Sequence, residues 1–185
     1  MTILWIILAI VAVIALWLMG VFNSLVGLKN RTEEAKSDID VQTKRRYDLI
    51  NKLVPTVQGY AKHEKSVFEN VTKARAEAMG AKGLADKAAK ENMLTETLKS
   101  LFAVAENYPE LKANENFMNL QNQIAETEDK IEASRRFYNG NVRDFNTKIM
   151  VFPNNMVANM LGFHKYDMFE ATASEKEDVK IDFEK

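Results

Sequence analysis

The chain has no cysteine, only three prolines and seven glycines in 185 residues, and two histidines. Without cysteine there are no disulfides, no thiolate nucleophile and no cysteine zinc site. So little Pro and Gly leaves few interruptions, which favours long helices. An excess of charge of one sign is also missing. The 25 Lys and Arg stand against 26 Asp and Glu, a formal net charge of −1, so no basic field is available to hold nucleic acid. A Gly-rich phosphate loop, a nucleophile elbow and an aspartic dyad motif are absent too.

What chemistry-bearing residues remain do not assemble into a site. His63 opens His63-Glu64-Lys65-Ser66-Val67, where a zinc-protease helix needs a second histidine in place of Val67. His164 has no evident partner. Glu126, Glu128, Asp129 and Glu132 cluster, but no histidine follows at the three-residue spacing of a helical di-iron site. Arg135 and Arg136 follow instead, and Glu132–Arg136 at four residues reads as a salt-bridged helix face. The expectation is no enzyme: no catalytic, cofactor-binding or metal residues, and no small-molecule substrate.

Against these absences stands one long apolar run. Residues 3–22 read ILWIILAIVAVIALWLMGVF, without a charge. Twenty helical residues cover about 30 Å, the hydrocarbon thickness of a bilayer, and a helix crosses lipid with its own backbone groups satisfied. A membrane span is expected, marked by Ile3, Trp5, Trp17, Gly20 and Phe22. A cleaved signal peptide would want a basic start and a shorter apolar core. Lys29, Arg31, Lys36, Lys44, Arg45 and Arg46 all follow the run and none precedes it. The positive-inside rule then puts the N-terminus outside and the rest in the cytoplasm. Gly20, Ser24 and Gly27 fall near one face and suit the approach of a neighbouring helix.

Beyond the span, a helical stripe of Ala35, Ile39, Leu49, Leu53, Val57, Tyr60, Val67, Val71, Ala74 and Ala78 suggests one helix to Met79, kinked at Pro55. Gln42 and Arg46 fill its gap. A second helix is expected over 84–107 on Leu94, Leu98, Leu101 and Ala105. A third runs from an Asn114 cap to about Val151 on Phe117, Leu120, Ile124, Ile131, Tyr138, Val142, Phe145, Ile149 and Phe152, with Thr127 or Glu128 between. Alternating threes and fours are the seam of a left-handed helical bundle. Arg46 is expected to pair across the core with Glu128 or Asp129, and Arg135 to do likewise on the third helix, fixing register. A short amphipathic helix at 156–163 ends at Gly162. Three helices in sequence would leave it far from the home membrane. The acidic stretch from His164 reads as a tail, in which Val179, Ile181 and Phe183 alternate like a strand that docks on a partner.

Several stretches resemble the LemA family of bacterial membrane proteins. They include Lys44-Arg45-Arg46-Tyr47-Asp48-Leu49-Ile50, Gly59-Tyr60-Ala61-Lys62-His63-Glu64 and the run from Leu101 through Glu106-Asn107-Tyr108-Pro109-Glu110-Leu111 to Phe117. Asn51 stands where family members often carry proline, and Pro55 comes one turn later. The resemblance implies a membrane-anchored antiparallel helical bundle with no established enzymatic activity. It also implies links to the shaping of bacterial membranes and to membrane proteases. The expectation is therefore all-α: a transmembrane helix (1–27) continuing into an elongated antiparallel bundle (28–163), then an acidic tail (164–185). Its function would be a scaffold that self-assembles and organises membrane. Its partners would be the lipid bilayer and further copies of itself or, on the second reading, a protease or other membrane protein.

Overall fold

Residues 1–169 are described by a computed structural model. Among them are six helices and no strand: α1 (Thr2–Tyr60), α2 (Lys65–Gly80), α3 (Leu84–Ala105), α4 (Pro109–Lys112), α5 (Glu115–Met150) and α6 (Asn154–Met160). The all-α expectation holds. The chain forms two compact units, one of Met1–Gln42 with Lys130–Met168, the other built on Thr43–Asp129.

The second unit is a four-helix bundle, not the three expected. α1 passes Pro55 and stops at Tyr60 rather than continuing to Met79. Proline costs the helix one hydrogen bond to the carbonyl of Asn51, but both residues are exposed, so water satisfies the freed group. The chain instead turns at Ala61, Lys62, His63 and Glu64. There α2 folds back, and the Arg75 Nε–H donates to the Tyr47 carbonyl at 3.0 Å. α3 reverses against α2, with Lys90 paired to Glu77 at 2.7 Å. α4 opens on Pro109 at its first turn, where a missing N–H costs nothing. Asn114 caps α5 as expected, accepting the Phe117 N–H at 3.0 Å, and its amide donates to Tyr60 Oη at 3.0 Å. Tyr60 itself is exposed, as the end of α1 requires. Leu53, Val57, Val71, Leu94, Leu101 and Leu111 are fully buried, each leucine stabilising the unit by about 1.5–3 kcal/mol.

In the first unit α5 runs antiparallel to α1. Ala35 and Ile39 are buried, as are Ile131, Tyr138 and Val142. Phe145, Ile149, Val157 and Ala158 form one core with Val21 and Leu25, and Leu18, Leu28, Phe163 and Tyr166 pack against it. This places α6 beside the last turn of the apolar run, where a third helix pointing outward would have put it far away. The extra reversal at residues 61–64 is the cause: with four passes instead of three, α5 returns toward the start of α1. α5 ends at Met150, so its period does not reach Phe152, which is 80% exposed rather than part of the stripe. α6 is followed by Gly162 at φ +71°, a left-handed conformation open to glycine. The chain then runs back along α5. The Tyr166 N–H donates to Asn146 Oδ1 at 3.0 Å, Asn146 Nδ2 donates to the Tyr166 carbonyl at 2.9 Å, and Tyr138 Oη donates to the Asp167 carbonyl at 3.0 Å. Residues 164–168, expected to begin the tail, are thus anchored. Val179, Ile181 and Phe183 lie outside the described residues.

Candidate functional site

The polar centre of the four-helix unit is built around Arg46 on α1. The Arg46 side chain is wholly buried. It pairs with Glu91 on α3 and Glu128 on α5, and Nη1 also donates to Thr95 Oγ1 at 3.0 Å. Thr95 Oγ1 in turn donates to Glu128 Oε1 at 2.8 Å. Tyr47 Oη donates to Glu91 Oε1. One cation therefore ties three helices through two carboxylates, a hydroxyl and a phenol. Among the described residues the Arg46 Nε–H has no hydrogen-bond partner.

Of the two partners that spacing offers Arg46, Glu128 and Asp129, it takes Glu128; Glu91 is a partner that spacing does not point to. Glu91 stands three residues before Leu94 on the stripe that continues through Leu98, Leu101 and Ala105, all buried. Extending that stripe by one step places a carboxylate inside, where an ionised group demands a cation. Thr127, not Glu128, fills the buried position on α5, leaving the Glu128 side chain 37% exposed. Arg135 is half-buried on α5 in the other unit. Glu132 and Arg136 form the expected exposed pair.

This geometry holds helices in register and offers little for chemistry. The guanidinium fills the space between the carboxylates, and the phenol of Tyr47 is held well above its ordinary pKa, first by burial and then by its bond to Glu91. His63 and His164 are exposed, His63 in the turn after α1. Among the described residues no three His, Asp or Glu gather as a metal-holding group.

Tyr166, in the other unit, is pushed up to about 12, by burial first and then by donating to Glu33 Oε1 at 3.1 Å. Below pH 10 phenols are protonated in folded and unfolded chains alike, so stability is intact. Above that the unfolded chain loses its phenolic protons first, and stability falls as pH rises from 10 through 12. Absorbance at 295 nm should show Tyr47 and Tyr166 ionising late, and denaturant titrations at pH 8 and 11 should differ less in Tyr166→Phe than in the parent.

Outside the bundle lies the apolar run. Ile3, Trp5, Trp17, Gly20 and Phe22 are all on α1 and all exposed, Trp5 by 70%. Among the described residues α1 is the one helix long and apolar enough to cross a membrane.

The sequence pattern of the LemA family matches residues 35–183. Protein LemA of Metamycoplasma hominis is 29% identical over 160 residues, covering 85% of this chain and 72% of that one. Magnetosome protein MamQ 2 of Paramagnetospirillum magneticum is 26% identical over 190 residues, with 89% and 70% covered. Magnetosome protein MamQ of Magnetospirillum gryphiswaldense is 24% identical over 189 residues, with 88% and 69% covered.

Proposed function

Since the chain belongs to the LemA family, we propose that it is a single-pass membrane-anchored scaffold that assembles with its own copies and organises or shapes bacterial membrane. One observation carries this reading: the uncharged run of residues 3–22 is exposed apart from Leu18 and Val21, and it continues without a break into the helix that builds both folded units. A fold attached in this way, with a buried ion cluster in place of a reactive pocket, is suited to holding and spacing. The relatives named as magnetosome proteins agree with membrane association. The basic residues after the run favour an outside N-terminus and a cytoplasmic bundle at the inner membrane. Gly20 and Gly27 leave open space on α1, since an added Cβ at either meets nothing within 4 Å, which suits close packing by a second span.

Particle mass in mild detergent tests the reading. Several copies per particle are expected over a range of protein concentrations, and a monomer at every concentration would overturn self-assembly. The second reading, an adaptor for a membrane protease or other envelope protein, is favoured by the alternation of Val179, Ile181 and Phe183. On that reading, removal of residues 175–185 ends partner capture without changing particle mass.

A further inference from the structure

Residues 149–163 read IMVFPNNMVANMLGF, and no Asp, Glu, Lys or Arg occurs between Lys148 and Lys165. Within this segment Ile149, Val157 and Ala158 turn inward to the core of the first unit. Phe163 packs against the same core, but six apolar side chains turn out: Phe152 is 80% exposed, Met160 72%, Met156 64%, with Met150, Val151 and Leu161 also exposed. Scattered exposed apolar residues need no explanation, but six in twelve consecutive positions mark an interaction surface.

Its location identifies the occupant. The inward face of the segment packs on Leu18, Val21 and Leu25 of α1. If residues 3–22 cross the hydrocarbon, its edge lies near Phe22, and Leu18 to Leu25 covers about 10 Å of helix across that edge. The outward face is therefore level with the boundary between acyl chains and headgroups. Asn154, Asn155 and Asn159 suit that half-polar zone better than the bilayer interior. Lys148 and Lys165 bracket the segment, and lysine stems lie along apolar surface while the ammonium reaches phosphate.

We propose that α6 and its flanking residues are a second lipid contact, lying in the interface of the leaflet from which α1 emerges. Together with α1 it would occupy area in one leaflet only. The inference rests on α1 spanning the membrane, and its test separates the two. With no cysteine in the chain, single nitroxide labels can be introduced at Phe152→Cys, Met160→Cys, Phe137→Cys and Ala9→Cys. The full chain is reconstituted in vesicles of phosphatidylethanolamine and phosphatidylglycerol, and label collision with oxygen and with a nickel chelate is measured. Phe137 is an exposed aromatic on α5, about 18 Å along the helix from Ile149. Labels at 152 and 160 should favour oxygen over nickel, as lipid-immersed sites do, whereas the label at 137 should favour nickel. Equal nickel access at 152, 160 and 137, with the label at 9 still in lipid, overturns the interfacial contact and leaves the span standing. Nickel access at 9 overturns the span and the inference with it. Exclusion of both probes at 152 and 160, with spin–spin broadening relieved by unlabelled protein, would assign the surface to a second copy and overturn lipid as its occupant. These labels replace exposed side chains, so unchanged helical content by circular dichroism is expected in each.

Discussion

Arg46→Met should lower the thermal midpoint of the full chain in detergent by about 6–20 °C. Removing one partner of a buried ion pair costs about 3–5 kcal/mol, and 1 kcal/mol shifts a chain of this size by about 2–4 °C. The cost comes from what is left behind. Glu91 is 1% exposed and would lose its cation, with Tyr47 Oη as its only remaining side-chain hydrogen-bond donor among those described above. Glu128 suffers less, because its side chain reaches solvent. The triple variant Arg46→Met, Glu91→Leu, Tyr47→Phe removes the cation, the buried anion and the phenol together, and should recover most of the loss. Helical content and midpoint by circular dichroism measure both. Parent-like stability of Arg46→Met alone would contradict a sealed ion cluster.

Deletion of residues 2–16 should move the protein from a carbonate-washed membrane pellet almost entirely to the supernatant. Residues 3–22 hold thirteen Leu, Ile, Val and Phe, and at roughly −0.3 to −0.6 kcal/mol each, these favour insertion by about 4–8 kcal/mol. The deletion spares Leu18, Val21 and Leu25, so the core they share with Phe145 and Ile149 stays whole. Released protein should therefore keep the parent's helicity per remaining residue and the alkaline behaviour of Tyr47 and Tyr166. Continued sedimentation after a carbonate wash would mean that residues 3–22 are not what holds the chain to the membrane.

Most helices were legible because their buried stripes are regular. Leu94, Leu98, Leu101 and Ala105 repeat at threes and fours, Phe117, Ile124 and Ile131 at sevens, and all are buried as that spacing requires. The apolar run is legible from length alone. The turn at residues 61–64 was not. Tyr60 and Val67 keep the apolar period across it, and Pro55, the one strong local breaker, is tolerated one turn and a half earlier because it faces water. That single reversal decides the number of passes, and with it which end of α5 meets the start of α1. Neither propensity nor periodicity carries such information, since both describe one helix at a time. In the ion cluster, Arg46 and Glu128 were legible as charges on stripe-adjacent positions. Glu91 was hidden because a lone acidic residue ahead of a leucine stripe looks like an ordinary helix start. The anchoring of Tyr166 by Asn146 was masked by the acidic composition that follows it.

α1 contains no flexible joint between residue 22 and Gln42. Twenty helical residues make a lever of about 30 Å, and a tilt of about 20°, ordinary for a single span, would swing its far end sideways by about 10 Å. A span longer than the local hydrocarbon is thick can meet the mismatch by leaning further. With residues 3–22 in lipid, such a change of lean would reach Gln42 as a lateral displacement, which a loop at the membrane edge would have absorbed.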